Sequence, residues 1–325
     1  MGFNLSSFLQ WGPNIMMCRK IGWKFTYHYI NILGKFYFFF NRKEKWKIKK
    51  AVKAVFIGRK NGFELRSITK NVFRGVFLHY YEKFFNAYST SRTLKNFVMN
   101  HMESEGMNAI EQGLAKGKGI LLITGHFGGV EFIPAFLGAN NFPVSIVAKF
   151  KSNDLRNASI QQAKNFLTKI IDGDQTLNIT RAIFDNLKAN RIVVTQCDEI
   201  DEWKPSHRQK LSFLGKQIYL DKTINILSKR CGATVVFGVM HRGKNHRYKF
   251  IAMSYEEIAK HFQRSIDMTI GAVVLKFLEH YIYKYPEGWY QWKKYPALEL
   301  FSPSYTEVEG SAAIPLLEPS LGNVS

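Results

Sequence analysis

Apolar residues recur along this chain in two rhythms, a helical one at first and a strand-and-helix one after about residue 105. From Ile21 to Phe40, the polar residues Lys24, His28, Asn31 and Lys35 stand at steps of four, three and four. On a helix they form one narrow stripe, and Trp23, Phe25, Tyr29, Ile30, Ile32, Leu33, Phe36 and Phe40 cover the rest. A helix of that kind lies in a membrane interface or packs into a protein core. The helical pattern continues from about 60 to 105, where Phe73, Val76, Phe77, Tyr80, Tyr81, Phe84 and Phe85 mix with basic residues.

Beyond it, Ile120 to Thr124, Val144 to Val147, Ile192 to Thr195 and Thr234 to Val239 read as short buried strands, rich in branched residues. Helix candidates fall around 107–116, 130–139, 154–170, 179–189 and 221–231. A further, antiparallel-type strand runs from Arg247 to Met253, and the capping-box spacing of Ser254 and Glu257 opens a long helix reaching about Tyr285. Strand–helix alternation predicts one α/β domain over residues 61–300, with a largely parallel central sheet flanked by helices. An amphipathic, basic, membrane-associating segment precedes it over 1–60. A Ser/Pro/Gly-rich stretch over 301–325 reads as a loose tail.

Composition sharpens this picture in three ways. An apolar content of 46% excludes a disordered chain. Lys+Arg 46 against Asp+Glu 25 leaves a net charge of +21, which points to an anionic membrane surface, an acidic carrier protein or nucleic acid. No nucleic-acid-binding motif is present, so the last is set aside. Arg42, Lys43, Lys45, Lys47, Lys49, Lys50 and Lys53 surround Trp46 directly after the aromatic helix. Apolar burial and headgroup attraction then act together, at about 1 kcal/mol per basic residue near the surface. The apolar run is interrupted too often for a clean transmembrane helix and lacks a small-residue cleavage site. Cys18, Cys197 and Cys231 share no ligand spacing and suit a reducing compartment.

The chemistry concentrates at Gly125-His126-Phe127-Gly128-Gly129-Val130-Glu131, where a buried strand ends and a helix begins. Reactive groups of α/β proteins gather at the carboxyl ends of strands. On a continuous helix, residues five apart diverge by about 140°, but a turn relaxed by Gly128 and Gly129 lets His126 and Glu131 meet. A carboxylate on Nδ1 fixes the imidazole tautomer and leaves Nε2 as a general base. Backbone N–H groups near Gly128 and Gly129 are candidates to hold an oxyanion. The zinc-protease register, the Gly-x-Ser-x-Gly elbow and a proper phosphate loop are all missing. Asp198, Glu199, Asp201 and Glu202 with His207 form an acidic cluster, read as a loop solvated by its charges or one helping to set the acceptor site, rather than a metal centre.

At these residues the chain resembles the bacterial lipid A biosynthesis (late) acyltransferases, within the wider lysophospholipid acyltransferase superfamily. The likeness runs from about Trp23 to Tyr295 and centres on the His-x4-acid motif, here His126 to Glu131. The family often reads Gly-His-Phe-Gly-Asn-Trp-Glu, so Gly129 and Val130 depart from it. Cys197-Asp198-Glu199 is similar to its Ala-Asp-Gln block, and Ser212-Phe213-Leu214-Gly215-Lys216 to its Pro-Phe-Phe-Gly-Arg block. Lys149 ends a strand where the family usually has Arg. Pro286-Glu287-Gly288-Trp289 resembles the Pro-Glu-Gln-Trp block, with Lys293 and Lys294 in place of a His-Arg pair. The resemblance implies transfer of a fatty acyl chain from acyl carrier protein or coenzyme A to a lipid hydroxyl, at the cytoplasmic face of the inner membrane. It implies catalysis by His126 and Glu131 without cofactor or metal. Lys149, Arg156, Asp198, Lys216 and Lys294 become candidate substrate contacts. A glycerolipid or lysophospholipid acyltransferase of the same superfamily is the alternative.

Overall fold

The N-terminal third folds as a run of helices whose buried faces follow the apolar periodicity. The computed structural model describes residues 9–150, 152–262 and 268–303. Helices α1 (Gly12–Ile21), α2 (Trp23–Phe40), α3 (Arg42–Phe56), α4 (Gly62–Tyr88) and α5 (Ser91–His101) come first. On α2 the buried residues are Thr26, Tyr27, Ile30, Gly34, Tyr37 and Phe38, which share one face at steps of three and four. Lys24, His28 and Lys35 are exposed as the polar stripe requires, and Asn31 is half-buried. The basic run after it continues as helix α3, whose Ile48, Ala51, Val52, Val55 and Phe56 are buried while its cations face outward.

These helices share one core with the rest of the chain. Phe38 meets the rings of Phe73 and Phe77 on α4, and Phe56 meets Tyr283 and Trp292 near the C-terminus. Among the described residues, no helix is long and apolar enough to cross a membrane.

The remainder is the expected α/β layer. In chain order come β1 (Met102–Glu105), α6 (Met107–Ala115), β2 (Ile120–Thr124), α7 (Ile133–Ala139), β3 (Val144–Ala148), α8 (Asn153–Lys164) and β4 (Thr168–Asp172). There follow α9 (Ile179–Lys188), β5 (Ile192–Gln196), β6 (Pro205–Phe213), β7 (Lys216–Asp221), α10 (Thr223–Cys231), β8 (Thr234–Arg242), β9 (Tyr248–Ser254), α11 (Tyr255–Lys260) and α12 (Ile270–Lys284). Seven strands form one sheet in the order β1-β9-β8-β2-β5-β3-β4. Strands β8, β2, β5, β3 and β4 are mutually parallel, while β9 runs antiparallel to β8 and carries β1 beside it. Strand β2 is buried at all five positions, as a central parallel strand covered on both faces must be.

Four elements differ from the sequence reading. The helix expected over 154–170 stops at Lys164; Leu167 takes a positive φ of 50°, and β4 adds to the sheet edge. Strand β1 caps the opposite edge within a stretch read as helical. The Ser212–Lys216 block is the tip of a separate hairpin, β6–β7, turned by Leu214 (φ 50°) and Gly215 (φ 80°), as a two-residue loop of that hand requires. The long helix expected from Ser254 is two helices. Thr269 is extended, and Asn225 Oδ1 accepts from the Gly271 N–H at 2.8 Å while its amide donates to Thr269 Oγ1 at 3.0 Å, so α12 starts afresh there. The tail from residue 304 onward lies outside the described residues.

Helix α4 crosses the segment Pro286–Gly288 at Gly75, where a Cβ would stand 1.9 Å from the Glu287 carbonyl oxygen. That carbonyl is backbone and cannot yield as a side chain tip could. Gly75→Ala is expected to lower stability by about 1–3 kcal/mol, seen as a fall in the midpoint of denaturant unfolding at unchanged slope.

Candidate active site

The register of β2 against β5 sets the site. Thr124 pairs with Gln196 at the carboxyl ends of two adjacent parallel strands. His126 and Asp198 each lie two residues further, so they leave the sheet side by side. Asp198 is fully buried, and its Oδ1 stands 2.9 Å from His126 Nδ1. The same carboxylate accepts the backbone N–H of His126 at 2.9 and 3.1 Å and the indole Nε1–H of Trp289 at 2.7 Å. On the other side of the ring, Glu199 Oε2 is 3.3 Å from Nε2. Burial alone pulls the His126 pKa down, but the carboxylates of Asp198 and Glu199 outweigh it and hold the imidazole at about 9. Burial likewise raises Asp198, yet the His126 ring, the Trp289 donor and the backbone bond bring its pKa below the usual carboxylate range. His126 and Asp198 therefore form a buried ion pair.

Glu131 does not hold Nδ1, contrary to the sequence expectation. It lies on the tight 3-10 turn Val130–Phe132, and its carboxylate approaches His79 Nε2 at 3.9 Å. The physical reason is the anchoring of the preceding turn. The Gly128 N–H donates to Gly288 O at 2.9 Å, and the Gly129 N–H donates to Met240 O at 2.8 Å. Two neighbouring segments thus fix the backbone between His126 and Glu131 and leave it no freedom to fold the acid back onto the ring. The same bonds correct the oxyanion assignment, because those two N–H groups already have acceptors. Gly128 is required for another reason: its φ is +60°, and a Cβ would meet Met240 O at 1.9 Å.

A buried ion pair braces this turn from below. Arg242, at the end of β8, donates Nε and Nη2 to the two oxygens of Glu82 on α4, both at 2.7 Å. Its Nη2 also donates to Gly128 O at 2.7 Å, and Tyr248 OH donates to Glu82 Oε1 at 3.0 Å. His79 stacks face to face on Tyr290 at 3.5 Å, and the Tyr290 ring edge in turn meets His126 at 5.3 Å. Burial, with the nearby cations Lys83 and Arg242, drives the His79 pKa well below the ordinary histidine value. The two histidines of the site hence differ in charge.

His126, Glu131, Glu199, Lys149 and Lys294 all line one cavity of about 800 Å³. Its polar end holds these groups, and its walls include apolar side chains such as Val76, Ala135, Ile146, Leu155, Phe166 and Ile183. Lys294 lies 2.5 Å from Asp201 and 3.7 Å from Glu199, and Lys149 pairs with Glu202. Two expected contacts lie elsewhere. Arg156 pairs with Asp172 at 2.8 Å, and Lys216 pairs with Glu299 at 2.6 Å while sitting over the Tyr295 ring. Neither borders the cavity. His207 is on β6, with its ring against Tyr219. Among the described residues, no set of three His, Cys, Asp or Glu side chains is arranged to hold a metal ion.

Sequence reasoning missed His79, Glu82 and Arg242 altogether, and placed Asp198 among substrate contacts rather than on the ring. The strand ends signalled its place, since Asp198 follows β5 as His126 follows β2. The site as a whole is a charged imidazole lining a partly apolar cleft, an arrangement suited to moving a proton beside a long aliphatic group.

The model of one family, described as bacterial lipid A biosynthesis acyltransferase, matches residues 6–294. No curated protein matches the chain.

Removing one partner of the brace should leave a buried charge behind. Arg242→Met is expected to destabilise the fold by about 3–5 kcal/mol, measured by chemical unfolding. Combining it with Glu82→Leu should recover most of that loss.

Proposed function

The chain belongs to the bacterial lipid A biosynthesis acyltransferase family, and from that premise we propose that it moves a fatty acyl chain from a thioester to a hydroxyl of a lipid A-type glycolipid precursor, with His126 as general base. The observation that carries this reading is the His126 ring, held at Nδ1 by a buried carboxylate and turned with Nε2 toward a cavity of about 800 Å³. The acceptor hydroxyl gives its proton to Nε2 as its oxygen attacks the thioester carbonyl. The carbon–sulfur bond then breaks, and the departing thiolate takes the proton from the imidazolium. Asp198 fills the orienting role and stabilises the cation. Glu131 faces the same cavity and positions the acceptor. No metal or cofactor enters these steps.

The donor is acyl carrier protein or a coenzyme A thioester, both anionic, as is the acceptor lipid. The apolar walls around Leu155 and Phe166 suit the acyl chain, at about 0.8 kcal/mol for each methylene taken out of water. Lys149 and Lys294 at the polar end suit phosphate, each as a point charge without the guanidinium fork. A glycerolipid acceptor would use the same machinery.

We place the reaction at the cytoplasmic face of the inner membrane. Phe36 (60% exposed), Phe39 (65%), Phe40 (77%) and Trp46 (61%) stand on α2 and α3 among exposed lysines, which supports a surface that lies on an anionic leaflet. The cavity lining includes Tyr37, Glu44 and Ile48 of these same helices, which supports a path for lipid from the bilayer to the site.

Three outcomes check this reading. His126→Ala should lower acyl transfer in a purified assay by roughly 10²–10⁴-fold, and should fail to restore the missing acylated lipid, by mass spectrometry, in cells lacking the gene. Because the ring must lose its proton to act as a base, kcat/KM should rise with pH up to a limb near 9; a flat profile would exclude His126 as the base. Replacing Phe36, Phe39, Phe40 and Trp46 by Ser should release the protein from anionic vesicles in sedimentation while leaving its circular dichroism unchanged.

A further inference from the structure

The nitrogen that has to receive the acceptor's proton already faces a carboxylate. Glu199 Oε2 is 3.3 Å from His126 Nε2, within the space a hydroxyl must enter to reach hydrogen-bonding distance. The other oxygen of Glu199 faces Lys294 at 3.7 Å, and Lys294 stands 2.5 Å from Asp201. Glu199 and Asp201 flank Ile200 in the short stretch that leaves β5. One lysine therefore ties down the acid that covers the base. Both Glu199 and Lys294 are partly exposed to the cavity, at 35% and 24% of their side chains, so an incoming group can reach them.

We propose, on the basis of the reaction above, that Glu199 holds the acceptor's place on His126 until an anionic group of the acceptor takes Lys294 away from Glu199 and Asp201. A phosphate carries more charge than either carboxylate and repels both, so it competes well for the ammonium. Once Lys294 turns to the phosphate, Glu199 loses its tether and meets a like charge, and it swings clear of Nε2. The hydroxyl of the same molecule then enters. Departure of the carboxylate also removes one of the two charges that keep the ring protonated, leaving Asp198 on Nδ1. The remaining groups around the ring are the edge of Tyr290 and, beyond it, neutral His79, with Arg242 under the turn and Glu131 on the cavity wall. A hydroxyl compound without an anionic group finds Glu199 still in place. The pair hence selects acceptors through kcat as well as through affinity.

Nitrogen-15 NMR of histidine-labelled protein tests this without turnover. In Glu199→Gln the His126 titration midpoint should fall by about one unit, a tenfold loss of proton affinity. Adding N-acetylglucosamine 1-phosphate to the wild type should lower the midpoint in the same direction, and N-acetylglucosamine should not. Lys294→Met should abolish the response to the phosphosugar. In acyl-transfer assays, the preference in kcat for a phosphorylated over a dephosphorylated acceptor should shrink in Glu199→Gln. An unchanged midpoint in Glu199→Gln, or equal effects of the two sugars, overturns the proposal. Wild-type protein that transfers acyl chains to no lipid hydroxyl would instead overturn the reaction, and the NMR titrations would still judge the role of Glu199.

Discussion

A carboxylate that water cannot reach organises this protein. Asp198 is wholly buried, and a bare charge in that position would cost several kcal/mol. It is kept ionised by the imidazole of His126, the backbone N–H of the same residue and the indole of Trp289. These donors come from the end of β2 and from the segment after α12, while Asp198 itself leaves the end of β5. The charge is stable only while all three are held together, so the geometry of the His126 ring and the integrity of the sheet are one requirement. The Glu82–Arg242 pair repeats the device one layer below, bridging α4, β8 and the glycine turn through short bonds. Charge-assisted bonds of this kind are strong and directional, which is what a base needs if its nitrogen is to stay aimed.

The cleft also shows how an excess of cations can be distributed. Over most of the surface, lysines face water; at the cavity Lys149 and Lys294 are matched by Glu202, Glu199 and Asp201. These acids lie on one short stretch after β5, next to His126. A polar end so nearly neutralised does not hold anions by field alone. An anionic ligand has to exchange with an internal acid, and the exchange is felt directly at the imidazole.

The N-terminal helices serve two surfaces at once. Ile30, Ile48 and Val52 are buried against the rest of the chain, while Phe36, Phe39, Phe40 and Trp46 stay exposed among cations. A single face of α2 could not do both, and the helix divides its apolar girth between the core and the outside. Tyr37 and Glu44 border the cavity from this same region. The helices that carry these exposed aromatics are therefore also walls of the site.

Local pattern was enough for much of this molecule. The apolar runs of β2, β3, β5 and β8 lie where branched residues cluster, because a strand covered on both faces needs nothing but apolar contacts. Likewise, the amphipathic period of α2 and the glycine-bounded His126 are properties of neighbouring residues and can be read from them. Pairing between distant segments cannot. His126 and Asp198 are 72 positions apart, and only the register of β2 on β5 sets them side by side, whereas Glu131, five residues away, is turned toward His79 by the bonds that the Gly128 and Gly129 N–H groups donate to the carbonyls of Gly288 and Met240. The sequence by itself determined on what kind of strand end the imidazole of His126 would stand. Tertiary structure alone decided which acid would hold it, because that choice depends on where separate stretches of backbone find their hydrogen-bond partners.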